Sequence, residues 1–246
     1  MEVAALEDGG LESESIPVIA VKEDEALEIE LSEDLLEENR RLAAEVRRIL
    51  DKHGVFAVDV MGSIGSGKTS IIENLVQRLK NTLRVGMIAG DAASTIDARR
   101  VMKHGVPTVQ VNTGRECHLD GNLVLKALDK LSLEGLDLLF IENVGNLICP
   151  ADYPLGAHRR LVVISVTEGC DMVVKHPLIF READVLAVNK MDLAHLMDVK
   201  VDKMGGEALM LNRRIKVVYT SAKTGEGIND LIDALEIPLK PREKLG

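Results

Sequence analysis

Short apolar runs alternate with helix-like stretches along most of this chain, and that alternation leaves few folds open. VFAVDVM (55–61), LRVGMIA (83–89), LDLLFIE (136–142), LVVISV (161–166), DVLAVN (184–189) and IKVVYT (215–220) each have the length of a buried strand, and PTVQV (107–111) offers one more. Continuous apolar runs suit strands covered on both faces, and helical segments between them make βα units. The expected class is therefore α/β, a mostly parallel twisted sheet with helices on both faces. Aromatic residues are only 2% and Trp is absent, so Val, Ile, Leu, Ala and Met must build the core. At 246 residues and 46% hydrophobic, the chain suffices for one such core.

Charge divides the chain unevenly. Residues 1–38 hold fourteen acids and one Lys, whereas the remainder has 26 acids against 29 bases, within a net charge of −10. An acidic arm on a near-neutral body lacks the concentrated basic face of a nucleic-acid platform. Residues 1–31 are expected to form a flexible arm, residues 32–240 the folded domain and 241–246 a frayed tail. Ser32, followed by two acids, reads as the N-cap of a helix over 33–52. Leu35, Leu42, Val46, Ile49 and Leu50 would form its apolar stripe, with Gly54 as its stop. A basic leader and a run of about 18 apolar residues are both missing, so a cytoplasmic protein with no membrane partner is expected.

The first apolar run leads directly into GSIGSGKT (62–69), which fits GxxxxGKS/T. Between a strand and a helix, such a loop curls so that its N–H groups face phosphate oxygens at the positive end of the helix. Gly62, Ile64, Gly65, Ser66 and Gly67, with Lys68, Thr69 and Ser70, form the expected cradle of a P-loop nucleotide hydrolase. Lys68 would neutralise the β- and γ-phosphates, and the Thr69 hydroxyl would hold Mg²⁺.

NKMD (189–192) closes a later strand. The Asp192 carboxylate can accept from both N1–H and the exocyclic amine of guanine, a donor pair that adenine lacks. Asn189 would brace the loop and contact the base edge, while the Lys190 stem would lie along the purine. In SAK, Ser221 and Lys223 flank Ala222, whose N–H can serve guanine O6. The order of these segments, each at a strand end, points to GTP and GDP. The strand ending FIE runs into NVGNLICP, bringing Glu142 and Asn143 near the γ-phosphate, with Glu142 a candidate Mg²⁺ ligand where aspartate is commoner; Asp91, after the second strand, would bind Mg²⁺ through water or orient the attacking water. Asp97 is a weaker alternative. Lys68 and Asp91 are thus the catalytic candidates.

GRECHL places Cys117 beside His118, and Cys149 follows in the loop after FIE. Thiolate and imidazole suit Ni²⁺ or Zn²⁺ rather than Mg²⁺. Three ligands fall one short of a closed tetrahedral site, which a second subunit could complete. The other reading is of buried thiols and an ordinary histidine. Cys170 with His176 is a fallback pair.

GSIGSGKT, IAGD, NTGRECHLD, FIENVGNLICPADY, VTEG, KHP and NKMDL together resemble the HypB family, the nickel-insertion GTPases of nickel-iron hydrogenase maturation, over roughly residues 35–235. The resemblance implies a dimerising GTPase metallochaperone with Cys117, His118 and Cys149 as its metal site near the subunit interface. It also implies other maturation factors and the hydrogenase large-subunit precursor as partners. Two departures stand out: residues 1–34 contain no Cys or His with which to build the N-terminal nickel store of some members, and Ser63 stands where some dimerising relatives carry a second lysine. Arg99, Arg100, Arg115 and Arg159 stay open as sources of further positive charge. Two other readings also stay open, a GTPase chaperone of the urease-accessory type and a nucleotide-regulated dimerisation module with structural zinc.

Overall fold

A computed structural model of the chain describes residues 26–91, 96–114, 116–197 and 199–239; for 26–32 and 96 it describes the backbone alone. Most of the acidic arm, all of the tail at 241–246 and Arg115 lie outside these residues. The chain divides into two units, Met1–Glu37 and Glu38–Gly246.

The elements run α1 (Ala26–His53), β1 (Phe56–Gly62), α2 (Lys68–Leu79), β2 (Val85–Asp91), α3 (Ile96–Met102), β3 (Thr108–Asn112), α4 (Gly121–Leu128), β4 (Leu138–Glu142) and α5 (Cys149–Asp152). There follow β5 (Arg159–Ser165), α6 (Met172–Lys175), α7 (Pro177–Arg181), β6 (Val185–Asn189), α8 (Val201–Leu211), β7 (Lys216–Tyr219) and α9 (Ile228–Leu235). The strands form one parallel sheet in the order β3-β2-β4-β1-β5-β6-β7. Every apolar run expected to be a strand, PTVQV included, lies in it.

Alternate residues of each strand feed opposite layers. Val58 and Val60 of β1 and Leu138 and Phe140 of β4 meet Ile71, Ile72 and Leu75 of α2 and Leu231 of α9. On the other face, Ala57 of β1 and Leu139 and Ile141 of β4 meet Val46 and Leu50 of α1 and Val124 of α4. Farther along that face, Ile164 and Val188 meet Phe180 and Met204. No helix of the described residues is long and apolar enough to cross a membrane.

One expectation needs correcting. The first helix begins at Ala26 rather than after Ser32, and Ser32 is an interior residue. ALEIEL before it is rich in strong helix formers, and a single Ser costs a helix only a few tenths of a kcal/mol. Leu35 is exposed, whereas Asn39, Ala43, Val46 and Leu50 are buried at helical spacing. The helix ends as expected, with Gly54 at φ 66°.

Close approach fixes the Glu38–His53 part of this helix. Arg47 donates to the carbonyls of Gly156 and Ala157. A Cβ on Gly156, at φ +79°, would come within 2.2 Å of Ala43 O. Gly156→Ala is expected to destabilise the protein by about 2 kcal/mol or more, through the left-handed backbone and the clash together. Chemical denaturation followed by circular dichroism checks this; a change under about 0.5 kcal/mol would show that the contact is soft.

Candidate nucleotide and metal site

The loop at 62–69 leaves the end of the central strand. Gly62, Gly65 and Gly67 have φ of 148°, 78° and 101°. Two of them also leave no room for a side chain: a Cβ on Gly62 would lie 2.2 Å from Val163 O, and one on Gly67 2.3 Å from Asn189 Nδ2. The Lys68 ammonium folds back onto the loop, donating to the carbonyls of Gly62 and Ser63 at 3.1 Å each. Burial pushes its pKa down, while Glu142, Asp97, Glu168 and Asp91 oppose the shift. A cavity of about 340 Å³ opens beside it, lined by Ile64, Gly65, Gly67, Lys68, Thr69 and Ser70 of the loop and helix, and across from them by Asp91, Asp97, Arg100, Glu142 and Lys190.

Parallel pairing of β1 with β4 brings Glu142 opposite Val60, and Thr69 Oγ1 donates to Glu142 Oε1 at 2.7 Å. Burial pushes the Glu142 carboxyl up to about 7, against the pull of Thr69 and Lys68. Its Oε2 is buried without a hydrogen-bond partner. An orphaned carboxylate oxygen beside a threonine hydroxyl fits the hard-oxygen preference of Mg²⁺. Ser63, the departure noted above, donates to Glu168 Oε1 at 2.6 Å. Glu168 also caps the 3₁₀ turn Val166–Glu168, so the P-loop is moored to the segment after β5.

Among the residues expected to bind the base, Asn189 ties three segments together. Its Nδ2 donates to Ser66 O at 2.9 Å, and its Oδ1 accepts from Ala222 N at 3.0 Å. The Ala222 N–H expected to serve guanine O6 donates to Asn189 Oδ1 in this structure. Ser221 Oγ donates to Asp192 Oδ1 at 2.6 Å, and Lys223 Nζ lies 3.9 Å from Asp192 Oδ2. Lys190 takes a left-handed backbone (φ 62°) and reaches Thr167 Oγ1 at 3.3 Å.

The expected arginines separate. Arg100 lines the cavity, with its guanidinium held by Ser70 Oγ at 2.9 Å and by Glu73. Arg99 is exposed, and Arg159 pairs with Glu236.

The donor atoms of Cys117, His118 and Cys149 all lie within 4.8 Å of one another. Both thiols are free; their sulfurs are 2.7 Å apart, and His118 Nδ1 is 3.7 Å from Cys117 Sγ. Burial pushes the imidazole pKa down, which favours the neutral, metal-binding form. The Tyr153 ring lies against His118 at a centroid distance of 3.9 Å. Two thiols and an imidazole at this spacing can hold one soft or borderline cation and leave a coordination position for another ligand. Cys170 lies elsewhere: its sulfur is 3.5 Å from Asp171 Oδ1 and 4.0 Å from Lys203 Nζ, while His176 Nδ1 is 3.1 Å from Met172 O.

Sequence reasoning missed the side chains that hold these segments. Buried Asn39 accepts from Gly121 N at 2.7 Å and donates to Pro154 O at 3.0 Å, so α1 clamps the segments that follow the Cys117–His118 and Cys149 turns. Its signal was a polar residue on a buried helical stripe. Asp59 carried a similar signal, an acid inside VFAVDVM. Its carboxylate is fully buried, 3.4 Å from Asn143 Nδ2 and 3.9 Å from Arg160 Nε.

A parallel sheet with a glycine-rich phosphate cradle at the end of its central strand defines a P-loop nucleotide-binding protein. The chain belongs to the CobW/HypB/UreG nucleotide-binding family, whose model matches residues 56–219, and within it to the HypB group. It is 49% identical over 212 residues to the probable hydrogenase maturation factor HypB of Methanocaldococcus jannaschii, an alignment covering 86% of this chain and 96% of that one. The crystal structure of hydrogenase maturation factor HypB from Archaeoglobus fulgidus matches with a TM-score of 0.76 at 45% identity, over 81% of this chain and 98% of that one. HypB from Helicobacter pylori in complex with nickel matches with a TM-score of 0.76 at 33% identity, over 85% and 100% of the two chains.

Burial pushes the Asp59 carboxyl up to about 6, against Arg160 and Asn143. A carboxyl with a raised folded-state pKa holds a proton that the unfolded chain has released. Stability should therefore fall as pH rises from about 4 through about 6, by roughly 3 kcal/mol in all. Asp59→Asn should remove most of that slope; identical pH profiles for the two proteins in urea unfolding would contradict it.

Proposed function

We propose that the protein is a GTP-hydrolysing metallochaperone that inserts nickel into nickel-iron hydrogenase, with metal affinity set by nucleotide state. One observation carries the reading: Cys149 opens the turn that continues from Glu142, and its sulfur meets Cys117 and His118. Whatever reorders the loop after β4 acts on the segment that leads to Cys149, and so can change its distance from the other two donors. Relatives at up to 49% identity named as hydrogenase maturation factors, and one solved in complex with nickel, support the choice of pathway and cargo.

The roles follow from the chemistry of each group. Backbone N–H groups of the cradle and the Lys68 ammonium bind the phosphates, and Lys68 exchanges two loop carbonyls for phosphate oxygens. Thr69, Glu142 and Asp91 would hold Mg²⁺, which when bound neutralises charge developing on the phosphates. Asp91, at the cavity wall, would reach Mg²⁺ through water or, in the other reading, orient the attacking water. Asp192 selects guanine, Asn189 holds the P-loop and the 221–223 segment in register, and Lys190 covers the purine. Intrinsic turnover is slow, because Arg100 is engaged by Glu73 and catalysis rests on positioning. Among the described residues three ligands converge, one short of a closed tetrahedral site, and a second copy of the chain supplies the remainder. Hydrolysis then loosens the ion for delivery to the hydrogenase large-subunit precursor, in concert with other maturation factors. Typical couplings of about 1–3 kcal/mol correspond to roughly 5- to 150-fold changes in affinity.

Nickel and zinc titrations in GDP and in a nonhydrolysable GTP analogue test this directly: nickel affinity should differ at least about fivefold between the two states. Equal affinity and stoichiometry would leave a GTPase with a static metal site.

Two substitutions test the parts. Asp192→Asn should weaken GTP binding about 100-fold or more by removing charged acceptors, and should favour xanthosine nucleotides; an unchanged guanine preference would displace the base site. Cys149→Ala should weaken nickel binding at least about tenfold while leaving GTP affinity within about twofold, and an unaltered nickel isotherm would remove the residue from the site.

A further inference from the structure

The two halves of the metal-ligand set are held by different anchors. Asn143 follows Glu142 directly and is buried. Its Oδ1 accepts from Leu119 N at 2.9 Å and from Val144 N at 3.0 Å, and its Nδ2 donates to Asp59 Oδ1 at 3.4 Å. Leu119 is the residue after His118, so the Cys117–His118 segment hangs from the end of the γ-phosphate strand. The Cys149 side is tied elsewhere: Arg160 Nη2, from β5, donates to Pro150 O at 2.6 Å and Ala151 O at 3.3 Å. Both anchors converge on Asp59 of β1. Two residues beyond Asn143, Gly145 lies against the P-loop so closely that a Cβ there would come within 2.4 Å of Ile64 Cγ1.

We propose that Asn143, seated on Asp59, is the positioning residue that carries the state of the γ-phosphate loop to the Cys117–His118 segment. The inference rests on the nucleotide-coupled reading above and names its transmitting contact. A single planar amide holds the two N–H groups together. A shift at residues 143–145 that turns the Asn143 side chain must therefore release or drag the Leu119 amide, and with it His118 and Cys117. Arg160 keeps the residues after Cys149 on the sheet, so the separation between thiols responds to the nucleotide. Transmission along the chain from Glu142 to Cys149 alone would leave Leu119 unaffected.

Hydrogen exchange at the Leu119 amide separates these routes. It is measured by NMR on the metal-free full-length protein with GDP and with a nonhydrolysable GTP analogue. In the wild type the rate should differ about tenfold or more between the two nucleotides. In Asn143→Ala it should be fast in both, with a difference under about twofold. Asp59→Asn retains an oxygen acceptor for Asn143 Nδ2 and should preserve the nucleotide dependence. Equal rates in the wild type, or a full difference surviving in Asn143→Ala, would overturn the proposal; the wild-type comparison decides alone should the alanine variant not fold. Nickel titration of the same samples keeps the two readings apart. An exchange response without an affinity change upholds Asn143 and rejects coupled release, and an affinity change without an exchange response does the reverse.

Discussion

The register that sets Val60 beside Glu142 is the constraint from which the site follows. Parallel pairing of β1 and β4 ends both strands at one edge, so the loop after β1 and the loop after β4 emerge together. The Thr69 hydroxyl can then reach Glu142, and Asn143 can reach back to Asp59. A parallel sheet offers this edge once, at the carboxyl ends of the strands where the connections diverge to either side of β1. The glycines at 62 and 67 are consequences of the same edge, since Val163 O and Asn189 Nδ2 occupy the space a side chain would need. Stability and function meet there, because the close packing that fixes the sheet also fixes the phosphate cradle.

Burial supplies the electrostatic character of that edge. Lys68 is pushed toward losing its proton and Glu142 toward gaining one, and each moderates the other. Two groups of opposite sign held in this way have little to gain from each other beyond partial compensation of desolvation. A phosphate and a cation would satisfy both: Lys68 would meet an anion in place of carbonyl oxygens, and the unpartnered Glu142 oxygen would meet positive charge. Glu142 Oε2 stays without a hydrogen-bond partner, as expected of a site built for a charged ligand.

The strands were legible because each apolar run is short and bounded, and in a sheet buried on both faces hydrophobicity alone sets the element. The cradle was legible because its chemistry demands glycines at fixed spacing. Cys117, His118 and Cys149 could be grouped through donor chemistry and placement in loops at one sheet edge, without knowledge of the fold in detail. What remained hidden were contacts between residues far apart in the chain. Asn39 bonds Gly121 and Pro154, and Asn143 bonds Leu119, through neutral amides that carry no motif. The start of α1 was misjudged for the opposite reason. Ser32 has a strong local preference for capping, but the helix formers before it continue the turn.

These amides have a physical property that charged pairs lack. Asn39 and Asn143 each present a donor and an acceptor on one rigid plane, so each fixes two backbone segments relative to each other without placing a net charge beside the Cys117, His118 and Cys149 cluster. A lysine or carboxylate in either place would perturb the thiols and imidazole electrostatically whether or not it moved. Neutral brackets add no charge of their own to the surroundings of the thiols and the imidazole, where Asp120 and Glu116 already act on His118. Beneath Asn143, the Asp59 carboxyl lies inside the sheet and faces Arg160. Under the proposed coupling, a change of geometry at the phosphate edge would reach the three convergent donor atoms as displacement rather than as a change of field.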